Sequence, residues 1–323
     1  MPELRPYDVK TVEVIRCNNC GGDRSLPVGG GVDFEYGTCR NEFRFVRCAD
    51  CGLVYLKNRP AVEELDTIYG AEYIPHFFDE YLGGFISNLR RRVQRMKVSP
   101  LRRLLSDDAV VVDVGPGGGE FLTLLRDFGS PGWDLYGVDF SAEAVEGLHK
   151  RGLKAVQSRF ETLEWQGPPV DAIVMNQVIE HLEDPAAAVE KAQEILAPDG
   201  ILFLETPSVD SWDYMLFKRR HWGGWHIPRH WHLYDETTLA KLVTEHGFEV
   251  TQVDYLLSPN FWLQSVHHYV DERLGWKKVA DWFDVSVFPS LVVASGIDVL
   301  QKLLRRRTSN FRLVARKRQD GMA

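Results

Sequence analysis

The sequence has few cysteines, no excess of basic charge and no long apolar run. Its 38 Lys and Arg residues against 46 Asp and Glu residues give a net charge of −8, so we expect neither a broad basic face nor a nucleic-acid partner. The most apolar stretch, residues 285–297, is about 13 residues long and contains Pro289, whereas a bilayer-spanning helix needs roughly 20. Residues 1–10 are charged and lack an apolar core, so we expect no secretory signal and a cytoplasmic protein.

Four of the five cysteines form two C-x-x-C pairs: Cys17 with Cys20, and Cys48 with Cys51. This spacing lets four thiolates converge on one zinc ion, and residues 21–47 are long enough for a β-hairpin that brings the pairs together. A glycine follows each pair and permits a turn in which backbone N–H groups point at the sulfur atoms. Four cysteine ligands leave no open coordination position, so the predicted zinc is structural. Disulfides or redox dithiols are the alternative, and Cys39 is expected to be a plain thiol.

From residue 109 onward, apolar runs of strand length alternate with helical segments. The predicted strands are 109–114, 135–139, 155–156, 172–175, 201–205, 248–255 and 311–315. The predicted helices are 120–128, 142–151, 186–196 and 237–246. Strands interleaved with helices in this way predict an α/β fold with a doubly wound, Rossmann-like sheet.

The first of these strands runs into a glycine-rich turn, residues 113–120, with the spacing G-x-G-x-G. Glycine lets the chain turn sharply into a helix while its backbone approaches a ligand. Asp139 ends the next strand about 20 residues later, where a carboxylate can accept both ribose hydroxyls of a nucleoside. NAD and S-adenosylmethionine both satisfy this pattern, but a dinucleotide needs glycine where this chain has Glu120. An acid there repels pyrophosphate and suits a cofactor with an amino acid moiety and a sulfonium.

Four segments carry a family resemblance: residues 111–121, residues 136–140, the V-x-E-H-x-x-D-P run of residues 178–185 and the L-x-P-x-G turn of residues 196–200. Together they resemble the class I S-adenosylmethionine-dependent methyltransferases, over about residues 100–255 and the final strand. The cysteine module is similar to a zinc ribbon attached to a subset of these enzymes, which includes small-molecule and sugar methyltransferases. The resemblance implies a seven-stranded, mostly parallel sheet with an antiparallel last strand.

The resemblance also implies which residues hold S-adenosylmethionine. Three glycines would approach the methionine end and the ribose: Gly115, Gly117 and Gly119. The implied polar contacts are Asp113 near the ammonium group, Asp139 on the ribose hydroxyls, and Asn176 and Gln177 below the transferred methyl group. Phe160 would pack on the adenine ring, and Arg159 stands where the family has an acid for the adenine amino group.

Histidines are the catalytic candidates, because imidazole near its ordinary pKa of about 6.5 can take a proton from a hydroxyl acceptor as the methyl group moves. Residues 220–234 follow the fifth predicted strand on the ligand side of the sheet and mix histidines, glycines and tryptophans. Within them, residues 229–234 resemble the H-E-H-x-x-Y/F segment of zinc-containing sugar C-methyltransferases, whose second histidine, implicated as a base, matches His230. Pro228 and Arg229 replace the first histidine and the glutamate. A hydrogen bond that orders the loop is the alternative role for His230.

Other polar residues of these segments are assigned to the same pocket. His181, in the V-x-E-H-x-x-D-P run, is the second catalytic candidate. Arg229 is expected to bind an anionic group of the substrate. His226 and His232 are expected to be further substrate contacts.

The chain divides into four predicted parts: a small zinc-binding β domain over residues 1–70, a helical linker over 71–99, the methyltransferase domain over 100–255 with 310–318, and an aromatic, helical cap insertion over 256–309. The insertion could cap the acceptor pocket, form a homodimer or rest on a membrane.

These observations predict an S-adenosylmethionine-dependent methyltransferase with a structural Zn²⁺. The expected acceptor is a hydroxyl or carbon of a small molecule, such as a sugar-containing or secondary metabolite of natural product biosynthesis. The alternatives are a zinc-module binding or scaffold protein with a degenerate methyltransferase domain, and an RNA-directed methyltransferase.

Overall fold

The computed structural model describes residue 5, residues 7–69 and residues 87–318. In this part of the chain the strands are β1 (Thr11–Glu13), β2 (Ser25–Gly31), β3 (Phe43–Cys48), β4 (Val54–Leu56), β5 (Asn58–Pro60), β6 (Val110–Val114), β7 (Asp134–Asp139), β8 (Lys154–Gln157), β9 (Val170–Asn176), β10 (Leu196–Pro207), β11 (His232–Leu233), β12 (Phe248–Leu256) and β13 (Asn310–Lys317).

The α-helices of the same residues are α1 (Leu65–Ile68), α2 (Ser87–Leu104), α3 (Glu120–Phe128), α4 (Ala142–Lys150), α5 (Pro185–Ile195), α6 (Trp212–Phe217), α7 (Glu236–Glu245), α8 (Pro259–His268), α9 (Lys277–Ala280) and α10 (Phe288–Leu303). Short 3-10 turns occupy Val62–Glu64, Phe160–Thr162 and Gly223–Trp225, and a π-helical turn occupies Tyr269–Arg273. The predicted linker over 71–99 begins outside the described residues, and its later part lies in α2.

A seven-stranded sheet forms the centre of the molecule, with the order β12-β13-β10-β9-β6-β7-β8. The strands β10, β9, β6, β7 and β8 are parallel, and β13 runs antiparallel to both β10 and β12. The predicted sheet class is therefore confirmed. The sequence predicted that this strand, β10, begins at residue 201, but in the structure it begins at Leu196. Leu196 already pairs with β9, and the register shifts between Leu196 and Ile201.

The central strands are apolar on both faces because helices cover both sides of the sheet. Within β6, Val111 and Val112 point to opposite faces, and both are fully buried. The same is true of Ile173 and Val174 in β9. Parallel strands end at one edge, so the segments that follow β6, β7, β9 and β10 meet there.

The N-terminal module is built on the antiparallel strands β2, β3 and β4. The first C-x-x-C turn, Cys17 to Cys20, precedes β2, and the second, Cys48 to Cys51, connects β3 to β4. A fourth strand, from a distant part of the chain, completes this sheet. The two-residue strand β11, from the histidine-rich segment, pairs antiparallel with β4, His232 opposite Tyr55 and Leu233 opposite Val54. Leu56 N–H also donates to the Trp231 carbonyl at 2.9 Å. The predicted boundary at residue 70 is thus crossed by a continuous sheet.

A buried ion pair reinforces this junction. The Arg229 guanidinium lies 3.3 Å from the Asp33 carboxylate, and neither side chain is exposed to solvent. Arg229 also donates to the Ile68 carbonyl at 2.9 Å and stacks over Tyr36 at 4.2 Å. Asp33 in turn accepts from the Thr38 hydroxyl and backbone N–H. Each of the two buried charges is compensated by the other, because water does not reach them.

The insertion after β12 is helical, as predicted, and comprises α8, the π-helical turn, α9 and α10. It packs against the turn Gly223–Trp225, where Gly223 N–H donates to the Ser265 hydroxyl at 2.8 Å. In the same contact, the ring centroids of Trp222 and Phe261 are 6.3 Å apart.

Within the residues described, no helix combines the length and the apolarity needed to cross a bilayer.

We predict that Asp33→Ala lowers the free energy of unfolding by about 3 to 5 kcal/mol, because it leaves the Arg229 charge buried without its partner. Denaturant unfolding would measure this loss. The control is Asp8→Ala, which removes the partner of Arg40 in an exposed ion pair and should cost about 1 kcal/mol or less. Equal losses in the two variants would contradict a special role for the buried pair.

Candidate active site

The glycine-rich turn joins β6 to α3 at the carboxyl edge of the sheet. Gly115, Gly117 and Gly119 all have positive φ angles, of 63°, 52° and 80°. A Cβ on Gly119 would lie 2.3 Å from Leu148 Cδ2, so glycine is needed there for packing as well as for conformation. A Cβ on Gly117 would meet nothing within 4 Å, so the backbone faces open space at this point. The turn is therefore shaped to bring a bare backbone close to a ligand.

Asp139 ends β7 beside this turn. Its Oδ2 atom accepts from Gly117 N–H at 3.2 Å, and its Oδ1 atom accepts from Ser141 N–H at 2.9 Å. Burial raises the pKa of the Asp139 carboxyl above its ordinary value, against the lowering effect of these N–H donors. The predicted spacing of about 20 residues between the turn and this acid thus brings the two into direct contact.

Three buried oxygen atoms near the turn have no hydrogen-bond partner among the described residues: Asp113 Oδ2, Glu120 Oε2 and Asn176 Oδ1. Burial, and then the charges of Asp139 and Glu120, raise the pKa of Asp113 well above its ordinary value. Buried acceptors are normally satisfied, so the set calls for a donor or a cation supplied from outside the chain. An ammonium or a sulfonium fits this group of acids, whereas a pyrophosphate does not.

The structure changes the expected adenine contact. Phe160 is only 3% exposed and packs in the main core, so its ring is not presented to a ligand as we had expected. Phe140, which the sequence reasoning missed, follows Asp139 directly and is 59% exposed. An aromatic residue directly after the acid predicted to bind ribose was the available signal in the sequence. Arg159 lies at 3.6 Å from Glu161 and 3.4 Å from Glu183.

Gln177 follows β9 with a φ angle of 54°, which is the left-handed region for a residue other than glycine. This conformation costs of order 1 to 3 kcal/mol and is found most often at functional sites. Its N–H donates to the Glu205 carbonyl at 2.8 Å, and its side-chain amide donates to Asn310 Oδ1 at 3.2 Å. The residue is thus held at the edge of the sheet between β9, β10 and β13.

A second group of side chains, Glu180, His181 and His230, lies at the same carboxyl edge, and one ligating atom of each lies within 4.8 Å of the others. The His230 Nδ1 atom donates to the Gly224 carbonyl at 2.9 Å. This bond places the proton of the neutral ring on Nδ1 and leaves the lone pair on Nε2, which lies 3.9 Å from Glu180 Oε1. Burial, and then the neighbouring His181 and His226, lower the pKa of His230 well below its ordinary value. The His230 imidazole is therefore neutral at pH 7.

Glu180 is fully buried beneath these histidines. Its Oε2 atom accepts from the Thr206 hydroxyl at 3.0 Å, while Oε1 has no partner in the described chain. Burial raises the pKa of Glu180 to about 8, so its carboxyl is mostly protonated at pH 7. Its backbone carbonyl accepts from Trp231 N–H at 2.8 Å and from His232 N–H at 3.1 Å. These bonds tie the segment after β9 to the histidine-rich segment.

His181 and His226 border the same space. His181 Nδ1 lies 3.1 Å from the Arg229 carbonyl and 3.0 Å from the Tyr69 hydroxyl. Burial lowers the pKa of His181 to about 3. His226 Nδ1 lies 2.8 Å from Glu35 of the N-terminal module. The module thus supplies side chains to the histidine cluster, which the sequence reasoning did not foresee.

Two expected substrate contacts have other roles in this structure. Arg229 is not exposed, and its guanidinium is paired with Asp33, so it cannot meet a substrate anion without breaking that pair. His232 is 4% exposed within β11, and burial lowers its pKa to about 3. Both side chains serve the junction between the N-terminal module and the sheet. Charge and residue type suggested binding, but burial was not visible in the sequence.

The four paired cysteines form a second candidate site. Their sulfur atoms lie within 4.8 Å of one another, with Cys17 and Cys51 Sγ at 3.6 Å and Cys20 and Cys48 Sγ at 3.5 Å. Gly21 and Gly52 have φ angles of 71° and 86°, as the predicted turns require. Backbone N–H groups of Asn19, Asp50, Cys51 and Leu53 approach the sulfur atoms. Four thiols around one point are a donor set for a tetrahedral metal ion. Cys39 lies apart in a buried apolar cluster.

A family described as a methyltransferase domain matches residues 85–253, just over half of the chain. The chain belongs to this methyltransferase family. Its match covers the glycine turn, Asp139 and the segment with Glu180 and His181, together with the histidine-rich segment.

Similar proteins include a ubiquinone biosynthesis O-methyltransferase of Xylella fastidiosa, 31% identical over 112 residues, which are 32% of this chain and 44% of that protein. The enzyme of the same name from Psychrobacter cryohalolentis is 34% identical over 108 residues, 30% of this chain and 40% of that protein. The chain thus spans less than half the length of these curated relatives. A solved methyltransferase from Archaeoglobus fulgidus has a similar fold, with a TM-score of 0.46 and 16% identity over 72% of this chain and 98% of its own.

We predict that Glu180 makes stability fall as pH rises from 6.5 to 8. In this range the unfolded carboxyl, with a pKa near 4.3, has lost its proton while the folded one retains it, so the folded state binds more protons. His181 and His230 are neutral in the folded state but about half protonated in the unfolded state at pH 6.5, so each raises stability slightly as the pH rises. Both histidines are present in the wild type and in the variant, so their contribution cancels in the comparison. Denaturant unfolding at the two pH values should show a decline about 1 to 2 kcal/mol smaller in Glu180→Gln than in the wild type. Glu249→Gln, on the exposed face of β12, should leave the decline unchanged, and an unchanged decline in Glu180→Gln would contradict the assignment.

Proposed function

We propose that this protein transfers a methyl group from S-adenosylmethionine to a hydroxyl or carbon of a small molecule. The observation that carries the proposal is the set of unpartnered acidic oxygens beside an open glycine turn, Asp113 Oδ2 and Glu120 Oε2. A degenerate methyltransferase domain in a scaffold protein would have no need to keep buried carboxylate oxygens without hydrogen-bond partners.

The residues present fit S-adenosylmethionine. Asp113 and Glu120 would bind the ammonium group, the Gly117 backbone would face the methionine end, and Asp139 would accept the ribose hydroxyls. Phe140 offers an apolar surface for the adenine ring. When bound, the cofactor supplies an electrophilic methyl group on a sulfonium. The acids make the site favourable for this cation before any acceptor arrives.

His230 is our candidate general base. Its Nδ1 proton is held by the Gly224 carbonyl, so Nε2 can accept a proton from the acceptor hydroxyl. Glu180 lies below it, with Oε1 3.9 Å from His230 Nε2. Methyl transfer needs the acceptor oxygen to lose its proton as the new C–O bond forms, and a neutral imidazole can accept it at pH 7.

A hydroxyl of a small molecule is the favoured acceptor. The ubiquinone O-methyltransferases that match about a third of the chain transfer to oxygen, as their name states. The histidine cluster is nearly closed, with His230 5% exposed, and suits a compact acceptor better than a polymer. Because the sequence resembles sugar methyltransferases, we propose a sugar-containing or secondary metabolite as the class of acceptor.

We assign one structural zinc ion to the four-cysteine cluster. Burial raises the pKa of Cys17 and Cys51, so four neighbouring thiolates need a compensating cation. All four positions of a tetrahedral ion would be filled by sulfur, which leaves none for a substrate.

Asp139→Ala should weaken binding of S-adenosylmethionine by about 2 to 4 kcal/mol, because it removes the acceptor for both ribose hydroxyls. Isothermal calorimetry measures this. The control is Asp134→Ala, at the opposite end of the same strand, which should bind normally. Binding of NAD by the wild type, with no binding of S-adenosylmethionine, would refute the cofactor assignment.

His230→Ala should lower the methyl-transfer rate by about 10² to 10⁴ and leave cofactor affinity nearly unchanged, since the base acts only on the acceptor. His230→Gln should not restore the rate, and His149→Ala, on the surface of α4, should be silent. Because burial lowers the pKa of His230, the wild-type rate should rise with pH only below 6.5, not near neutrality as the isolated residue would suggest.

Two outcomes would change this assignment. The same loss in His181→Ala, with a silent His230→Ala, would move the base to the segment after β9. Near-normal rates in both variants would mean that positioning alone drives the transfer, with solvent or substrate taking the proton.

Metal analysis should find one zinc per chain, lost in Cys20→Ser and in Cys51→Ser, because three thiolates no longer complete the tetrahedral site. Cys39→Ala, in a separate cluster, should retain the metal. Full metal content in both serine variants would rule out the four-cysteine site.

A further inference from the structure

Helix α10 is apolar on two opposite faces, but the chain covers only one of them. Leu291 and Ala294 are buried against α8, where they form an apolar cluster with Trp262 and Leu263. Asp298, on the same inner side, is buried and accepts from Ser258 N–H. A helix that is apolar all round is normally covered all round.

The outer face of α10 is a continuous apolar stripe. Six of its side chains are between 43% and 76% exposed: Phe288, Val292, Val293, Val299, Leu300 and Leu303. Their spacing of four, one, six, one and three residues keeps them on one side of the helix. No charged residue interrupts this outer face between Phe288 and Lys302. We call these six residues the α10 stripe.

The rest of the insertion adds exposed aromatic and basic side chains. Trp276 and Trp282, on either side of α9, are 60% and 68% exposed. Exposed cations flank the apolar residues along the chain: Lys277 and Lys278 in α9 before them, and Lys302, Arg305 and Arg306 at and just after the end of α10. Residues 273–306 contain only two exposed acidic residues, Asp281 and Asp284. This surface is locally basic in a chain whose net charge is −8.

Apolar residues, tryptophans and flanking Lys and Arg residues together match an anionic bilayer surface. Acyl chains accept the apolar stripe, tryptophans favour the headgroup region, and anionic headgroups attract the cations. A second copy of the chain matches less well, because a symmetric contact brings two identical sets of cations to one interface. We propose that the α10 stripe and its flanking cations dock this protein onto an anionic lipid surface.

Flotation of the full chain with vesicles tests the proposal without using methyl transfer. The protein should bind vesicles of equal parts phosphatidylglycerol and phosphatidylcholine at least about tenfold more tightly than pure phosphatidylcholine vesicles, and salt should weaken this binding. Val293→Glu with Leu303→Glu should reduce binding at least tenfold. Met96→Glu, at an equally exposed apolar position of α2, should not reduce it.

A second pair of variants tests the charge. Lys302→Glu with Arg306→Glu should also weaken binding about tenfold or more, since each cation near an anionic surface contributes separately. Arg102→Glu with Arg103→Glu, at the end of α2, changes the net charge equally and should have little effect. Both sites are solvent-exposed helix ends, so unfolding should not obscure the result, and calorimetry with S-adenosylmethionine checks cofactor binding independently.

Equal binding to both kinds of vesicle, or no binding to either, would overturn the proposal. A stable dimer in sedimentation would also overturn it if the double variant Val293→Glu with Leu303→Glu separates the dimer and the wild type does not bind vesicles. The α10 stripe would then be the contact with a second copy of the chain. Vesicle binding that fails while methyl transfer succeeds would leave the proposed enzyme function intact.

Discussion

The pairing of β4 with β11, supported by the buried contact between Asp33 and Arg229, is the interaction on which the candidate active site depends. β11 has two residues and could not persist alone, since a strand needs a partner for its backbone groups. The cysteine module provides that partner. Stacking of Trp225 on Phe45 at 4.1 Å, and of Arg59 over Trp231 at 4.3 Å, adds apolar and cationic contacts across the same junction.

Two independent parts of the chain therefore converge on one edge of the sheet. The parallel strands place the glycine turn, Asp139 and Asn176 there by topology alone. The histidine-rich segment is held there by the module, with Glu35 on His226 and Tyr69 on His181. Burial then keeps the His181 and His230 imidazoles neutral and Glu180 protonated at pH 7.

Local patterns predicted much of this structure because they depend on nearby residues. Helix α3 begins and ends where the apolar spacing placed it, and the glycine and cysteine turns have the positive φ angles that their spacing implied. Burial and distant partners were not readable. Arg229 looked like a substrate ligand because its partner, Asp33, lies 196 positions earlier. The family resemblance placed Phe160 on the adenine ring, but a resemblance does not report that this side chain is buried. Two residues are too few to show the period of a strand, so β11 was missed.

These contacts imply that the cysteine module orders the histidine-rich segment. Hydrogen–deuterium exchange of the full chain, compared between the wild type and Cys20→Ser with Cys39→Ala as control, tests it directly. Disrupting the cysteine site should raise exchange at Leu56 and across residues 222–234, while the amides of β6 and α3 stay protected, because only the former depend on the module. Unchanged protection of residues 222–234 in a Cys20→Ser protein whose module exchanges freely would mean that this segment is ordered without the module.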